Sequence, residues 1–316
     1  MRVLVTGADG FVGRYLLRQL LRSGHELAGA VRHGSDAARG WLTDAEYRSV
    51  RWTGLELENQ ASVEQLFEAP VDAVVHLAAI ASSSEAREDP GRAWVINAAG
   101  TARLLEAAAS VRDAGAGDPL MLVVSSAEVY GPGQGHRVED APLMPVSPYA
   151  ASKAGAELAA AEVGRRTGLR IIVARPFQHT GPGQTERYVV PAFARRLRDA
   201  KREGARQVPV GSLAPVRDIS DVRDVVAAYA ALLQRGVPGQ TYNVCRGDGV
   251  SLEALFGKLS TFIGVRAEPV PDPVLARPAD IPHLIGDNTR LRAATGWSPS
   301  ISLDQTLKDV IDAQAD

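Results

Sequence analysis

The sequence predicts an α/β chain: a doubly wound parallel sheet followed by a smaller α/β part at the carboxy terminus. Three observations carry this. Short runs, nearly continuous in apolar residues, recur at 2–6, 26–31, 73–77, 120–125 and 170–174, as expected of parallel strands buried on both faces. Longer helical stretches at 11–23, 94–111 and 149–167 separate several of them, the alternation that a doubly wound sheet requires. The first run also leads directly into a glycine-rich turn, Thr6-Gly7-Ala8-Asp9-Gly10-Phe11-Val12-Gly13.

The alternation weakens after Pro176, where Gly and Pro become dense at 179–184. Helices are then expected at 189–201, 252–262 and 288–295, while 218–233 followed by 242–244 again reads as helix then strand. Residues 1–176 plus 220–245 are therefore expected to form a dinucleotide-binding domain, and 177–219 plus 246–316 a substrate domain. The alanine-rich stretch 150–161 suits a close helix–helix surface.

Bulk properties exclude several classes. The 316 residues, 45% hydrophobic and 23% charged, have an ordinary globular composition. A formal net charge of −2 gives no reason to expect a nucleic-acid partner, and the basic run at 195–198 reads as a solvated helix face. The single cysteine, Cys245, excludes an internal disulfide and a multi-thiolate metal site, and its apolar surroundings suit a buried strand thiol. No apolar run approaches the roughly 20 residues of a bilayer span, and Met1-Arg2 leads straight into a strand without a signal peptide. No membrane partner and a cytoplasmic location are expected.

Glycines in the first turn have three uses: a tight turn, close backbone approach to a pyrophosphate, and helix-on-strand packing. The helix that starts near Phe11 aims its partly positive amide end at the same place. This is the dinucleotide-binding, or Rossmann, arrangement, with Gly7, Gly10, Phe11, Val12 and Gly13 in contact with the cofactor. Its spacing, Gly-x-x-Gly-x-x-Gly, resembles that of the short-chain dehydrogenase/reductase superfamily. The second strand ends in Ala30-Val31-Arg32-His33, with no acid for an adenosine ribose 2′-hydroxyl. Arg32 has the planar fork that pairs with a 2′-phosphate, so NADP(H) is favoured and NAD(H) is the alternative. Glu56, Leu57, Leu77, Ala78 and Ala79 are assigned to the same site.

Ser147-Pro148-Tyr149-Ala150-Ala151-Ser152-Lys153 opens a helix, with Ser147 as N-cap and Pro148 in the first turn. The i, i+4 spacing places Tyr149 and Lys153 on one face. A nearby ammonium is expected to lower the tyrosine pKa from its ordinary value of about 10 and suit it to proton transfer at a carbonyl oxygen. The fourth apolar run ends in Ser125-Ser126-Ala127-Glu128. One hydroxyl would hold the substrate oxygen while the other caps the strand, and Ser126 is assigned the catalytic role.

Together these residues resemble the extended branch of the short-chain dehydrogenases, which act largely on nucleotide sugars. The resemblance spans the chain: His76-Leu77-Ala78-Ala79, Asn97-Ala98-Ala99-Gly100-Thr101, Ser126 with Tyr149 and Lys153, and Arg175-Pro176-Phe177. It implies a catalytic Ser126 and a structural Asn97. The downstream segments Arg175–184, Val210-Gly211-Ser212-Leu213, Val216-Arg217-Asp218 and Gly286-Asp287-Asn288 before Gly296-Trp297 are similar to those of GDP-4-dehydro-6-deoxy-D-mannose reductases. That likeness implies reduction of the C4 ketone of a GDP-linked 4-keto-6-deoxyhexose to GDP-D-rhamnose. Gln178, His179 and Val189 would line the substrate site, and Arg217 and Arg277 would meet the diphosphate. The family usually has asparagine at position 178, so Gln178 is a departure. A homodimer or larger homo-oligomer, packed through 94–111 and 149–167, is the family-like expectation.

The nearest alternative is a GDP-mannose 4,6-dehydratase or another nucleotide-sugar epimerase or dehydratase. Dehydratases need an acid and a base after the catalytic hydroxyl, whereas here the pair is Ala127-Glu128. Glu128 is either a base at C5 or a hydrogen-bonding residue beneath the sugar, and Ala127 has no proton to give. A non-catalytic cofactor sensor is a third reading, which the intact Ser126, Tyr149 and Lys153 oppose.

Overall fold

A computed structural model describes residues 1–32, 39–275 and 281–314. The chain opens with β1 (Arg2–Thr6), α1 (Phe11–Arg22), β2 (Glu26–Val31), α2 (Asp44–Ser49), β3 (Val50–Gly54), α3 (Gln60–Glu64) and β4 (Ala73–His76). It continues through α4 (Ser83–Glu88), α5 (Pro90–Trp94), α6 (Gly100–Asp113), β5 (Leu120–Val124), the short β6 (His136–Arg137), α7 (Pro148–Thr167) and β7 (Ile171–Pro176). Among the described residues a seven-stranded sheet forms in the order β11-β7-β5-β4-β1-β2-β3, where β11 is Thr241–Val244. All its pairings are parallel. The expected doubly wound sheet is thus borne out.

Alternating side chains of the central strands feed two cores. One holds Val3, Val5, Val75, Leu122 and Val124 with Leu16, Leu17 and Leu20 of α1. The other holds Leu4, Val74, Met121 and Val123 with Leu104 and Leu105 of α6 and Val163 of α7. Burial of both faces explains why these strands read as unbroken apolar runs.

The smaller part contains β8 (Gln178–Thr180), α8 (Val189–Glu203), β9 (Gln207–Val210) and β10 (Val216–Asp221). After α9 (Val222–Arg235) and β11 come β12 (Gly249–Ser251), α10 (Leu252–Ile263), β13 (Glu268–Pro271), β14 (His283–Gly286), α11 (Thr289–Thr295) and α12 (Leu303–Ala313). Helices α8, α10 and α12 share a core of Phe193, Leu197, Phe256, Leu259 and Leu307. Helix α9 packs on α1 and returns the chain to the main sheet. Leu291 and Trp297 also join the core of the main sheet.

Local expectations need three corrections. Strand β3 is absent from the apolar runs because it is an edge strand, with only Val50 fully buried and Arg51 exposed. The segment expected to be helical from 218 is strand β10 until Asp221, which caps α9 by accepting from the Arg223 amide at 2.8 Å. Asp218 of this strand is buried and accepts from the Arg246, Gly247 and Gly286 amides at 2.9, 2.9 and 3.2 Å. The helix expected over 94–111 is divided by a π-turn at Val95–Ala99, a type of bulge that re-aims side chains. No helix among the described residues is long and apolar enough to cross a membrane.

Candidate active site

A cavity of about 720 Å³ crosses the carboxyl ends of the central strands. Its floor is the first turn. Gly7 has φ +66°, and a Cβ there would stand 2.9 Å from the Ala78 amide nitrogen; one at Gly13 would stand 2.3 Å from the Gly7 carbonyl oxygen. Gly10 caps α1 with no side-chain acceptor, so the first-turn amides at Phe11, Val12 and Gly13 border the cavity without one. A dinucleotide pyrophosphate fits this cradle.

The facing loop is held by buried polar contacts. His76 bonds Thr6 Oγ1 at 2.8 Å through Nδ1 and Thr101 Oγ1 at 3.1 Å through Nε2. Burial pushes its pKa down to about 3, so the ring is neutral. Thr6 Oγ1 also accepts from the Ala78 amide at 3.2 Å, which seats Leu77, Ala78 and Ala79 along the cavity. Arg32, Glu56 and Leu57 line it further along.

At the other end, Ser147 caps α7 by accepting from the Ala150 amide at 3.1 Å. Tyr149 and Lys153 both enter the cavity from its first turns. The π-turn aims Asn97 at this point: its amide donates to Ile80 O at 3.0 Å and to Ser152 Oγ at 2.9 Å, while its oxygen accepts from the Ile80 amide at 2.8 Å. Ser152 in turn donates to Tyr149 O at 2.8 Å. Asn97 therefore braces the helix turn that carries Tyr149.

The two strand-end serines diverge. Ser125 Oγ donates to the buried Glu157 carboxylate. Ser126 Oγ accepts from the Glu128 amide at 3.2 Å and shares a hydrogen bond with the Tyr149 hydroxyl. Both serines border the cavity, but only Ser126 is bonded to the phenol. Glu128 also borders it and accepts from Ser83 Oγ at 3.2 Å.

The titration of Tyr149 departs from expectation. Burial first, and then the Glu128 charge, hold the phenol above its ordinary range, opposed by the Ser126 hydrogen bond. Lys153 donates to Val124 O at 2.7 Å instead of touching the phenol. Burial lowers the Lys153 pKa to about 8, with Glu157 opposing. Between that value and its ordinary 10.5 the unfolded chain binds more protons at this lysine than the folded chain does, so this group adds stability as pH rises. Urea unfolding of the cofactor-free protein should therefore show a wild-type minus Lys153→Met stability difference that grows from pH 7.5 to 9.5. A flat difference would contradict the burial of a charged lysine.

Gln178 and His179 border the cavity from β8. The His179 ring stacks on Phe11 at 6.4 Å, and burial lowers its pKa. Val189 and Arg217 do not border the cavity. Val189 opens α8, and Arg217 is buried on β10, donating to Val216 O at 2.9 Å. Arg277 lies outside the described residues.

Residues 4–310 match the family described as GDP-mannose 4,6 dehydratase. The chain belongs to that family. The extended short-chain dehydrogenase/reductase resemblance is thus borne out, and this member is an NAD(P)-dependent enzyme of that type. It is 34% identical to the GDP-6-deoxy-D-mannose reductase of Pseudomonas aeruginosa, over 98% of this chain and 96% of that one. Its fold superposes on the structure of RMD from Pseudomonas aeruginosa complexed with NADPH, with TM-score 0.80, 32% identity and 99% and 98% of the two chains covered. The Thermus thermophilus UDP-glucose 4-epimerase complex with NAD gives TM-score 0.85 at 29% identity, again covering 99% and 98%.

Five residues lining this cavity escaped sequence reasoning: Leu55, Ala81, Ile96, Tyr188 and Tyr229. Ile96 is carried in by the π-turn and Tyr188 precedes α8. Tyr229 lies within α9, whose pattern reads only as a core helix. Gln184, quoted within the downstream motif, also borders the cavity and accepts from Thr180 Oγ1 at 2.8 Å.

Proposed function

We propose that this enzyme reduces the C4 ketone of GDP-4-dehydro-6-deoxy-D-mannose to GDP-D-rhamnose, with NADPH as the favoured reductant and NADH as the alternative. The carrying observation is that Ser126, Tyr149 and Lys153 line the same cavity as the glycine turn, with Ala127 beside Glu128. A bound nicotinamide cofactor supplies hydride. Ser126 and Tyr149 would bind the ketone oxygen, and Tyr149 would protonate it. The raised phenol pKa suits this direction, because the hydroxyl enters the reaction loaded with its proton. Lys153, fixed by Val124 O, would hold the nicotinamide ribose.

The remaining assignments follow the same reading. Residues 1–176 plus 220–245 would hold the cofactor, with Arg32 at a 2′-phosphate, and 177–219 plus 246–316 the GDP-sugar. Gln178 Oε1 is buried with no hydrogen-bond partner among the described residues, which supports a ligand contact there. Val189, Arg217 and Arg277 would serve the outer part of the nucleotide sugar. A homodimer or larger homo-oligomer packed through 94–111 and 149–167 is supported by exposed Trp94 and Leu158. A cytoplasmic location belongs to the same proposal.

Glu128 supports a second reading, dehydration or epimerisation on the same scaffold, because its charge acts on Tyr149. Purified enzyme should consume NADPH when given the GDP-4-keto-6-deoxy sugar and leave GDP-mannose untouched. A 4-keto product formed from GDP-mannose without net cofactor use would replace reductase by dehydratase. A clear NADH preference in the same assay would remove the assignment of Arg32.

A further inference from the structure

Tyr229 carries a polar group that neither the fold nor the catalytic residues use. The residue is 0% exposed, borders the active-site cavity, and its hydroxyl has no hydrogen-bond partner among the described residues. A buried hydroxyl without a partner is costly, and an apolar ring would fill the same place in the core more cheaply.

Its place in the fold narrows the occupant. Tyr229 belongs to the core on the α1 and α9 side of the sheet, with Val5, Ala8 and Val124. Tyr149 belongs to the core on the opposite side. The two phenols therefore come from opposite faces of the sheet, and both border the cavity. Helix α9 packs directly on α1, whose amino terminus is the glycine turn. Tyr229 therefore approaches the cavity from the side of the glycine turn, and Tyr149 approaches it from the other. The cavity lining includes the apolar Val124, which shares a core with Tyr229, and also Pro176 and Phe177. Such a seat suits a flat ring carrying one polar substituent, and a phenol both donates and accepts.

We propose that the Tyr229 hydroxyl hydrogen-bonds the carboxamide of the nicotinamide ring and so positions that ring against Tyr149. This rests on the reading that the reacting end of the cavity takes the nicotinamide. Tyr229 is a positioning residue, since it acts on the reaction only through the ring it orients.

Tyr229→Phe separates this role from a structural one. The cofactor-free variant should melt at or above the wild-type temperature, because it loses only an unpaired hydroxyl. Its affinity for NADPH, read by calorimetric titration, should fall by about 5- to 10-fold, the effect of one neutral hydrogen bond. Affinity for 2′-phospho-ADP-ribose, which lacks the nicotinamide, should be unchanged. An unaltered NADPH affinity overturns the proposal, as does an equal loss for both ligands, which would mark a general structural effect. Failure of the wild-type protein to bind either NADPH or NADH would instead overturn the cofactor reading beneath it.

Discussion

Tyr149→Phe is expected to lower kcat by about 10²- to 10⁴-fold, the usual contribution of a positioned general acid, while NADPH affinity stays nearly unchanged. The substitution removes one oxygen from a fully packed helix turn. It leaves the ring in its core, and the Ser152 bond to the Tyr149 carbonyl and the Lys153 bond to Val124 O do not involve the phenol. Ser126 loses one partner but keeps the Glu128 amide. The loss should therefore fall on the chemical step. Steady-state turnover of the GDP-4-keto-6-deoxy sugar, with cofactor titrated separately, measures both quantities. Retained turnover would transfer the proton donor to another group, of which Glu128 is the nearest candidate in the cavity.

The second large effect is on stability, directly behind the site. Arg175 and Glu157 form an ion pair with both side chains only 7% exposed. The guanidinium donates to the carboxylate at 2.6, 3.0 and 3.1 Å, to the Tyr130 hydroxyl at 2.9 Å and to Glu139 O at 2.8 Å. The Tyr130 hydroxyl passes the chain on to Asn243 Oδ1 at 2.6 Å. Glu157→Ala strands a buried cation and also releases Ser125, so unfolding free energy should fall by about 3–5 kcal/mol. The double variant Glu157→Leu with Arg175→Met removes both charges, and should recover a large part of that loss. Urea unfolding of the three proteins decides the matter. A double variant as unstable as the single one would show that the pair itself, and not the stranded charge, carries the energy.

This network explains one choice that local sequence left open. Ser125 and Ser126 are adjacent hydroxyls just past the end of β5, and both of their partners lie on α7. Glu157, four residues beyond Lys153 on α7, takes Ser125. Ser126 is left for Tyr149. The contact between Ser125 and Glu157 joins residues 32 positions apart, and no periodicity in either segment announces it.

The parts legible from sequence are those governed by local rules. The glycine turn follows from backbone space, and the Ser147 cap with Pro148 from helix-end chemistry. The i, i+4 pairing of Tyr149 with Lys153 follows from helical pitch, and the central strands from two-sided burial. Strand β10 was illegible because its buried Asp218 is held by amides from 246, 247 and 286, far along the chain. Edge strand β3 was illegible because a half-covered strand has no continuous apolar run.

Tyr149 and Lys153 mark the same division. Their spacing, and therefore their shared helix face, was determined by seven consecutive residues. The direction of their titration was decided by tertiary structure: burial and the Glu128 carboxylate hold the proton on Tyr149, and Val124 O anchors Lys153. The same holds for Tyr229, an ordinary core residue of α9 until the sheet brings its hydroxyl to the cavity. Helical pitch is a property of adjacent residues, whereas desolvation and charge depend on every element packed around a group.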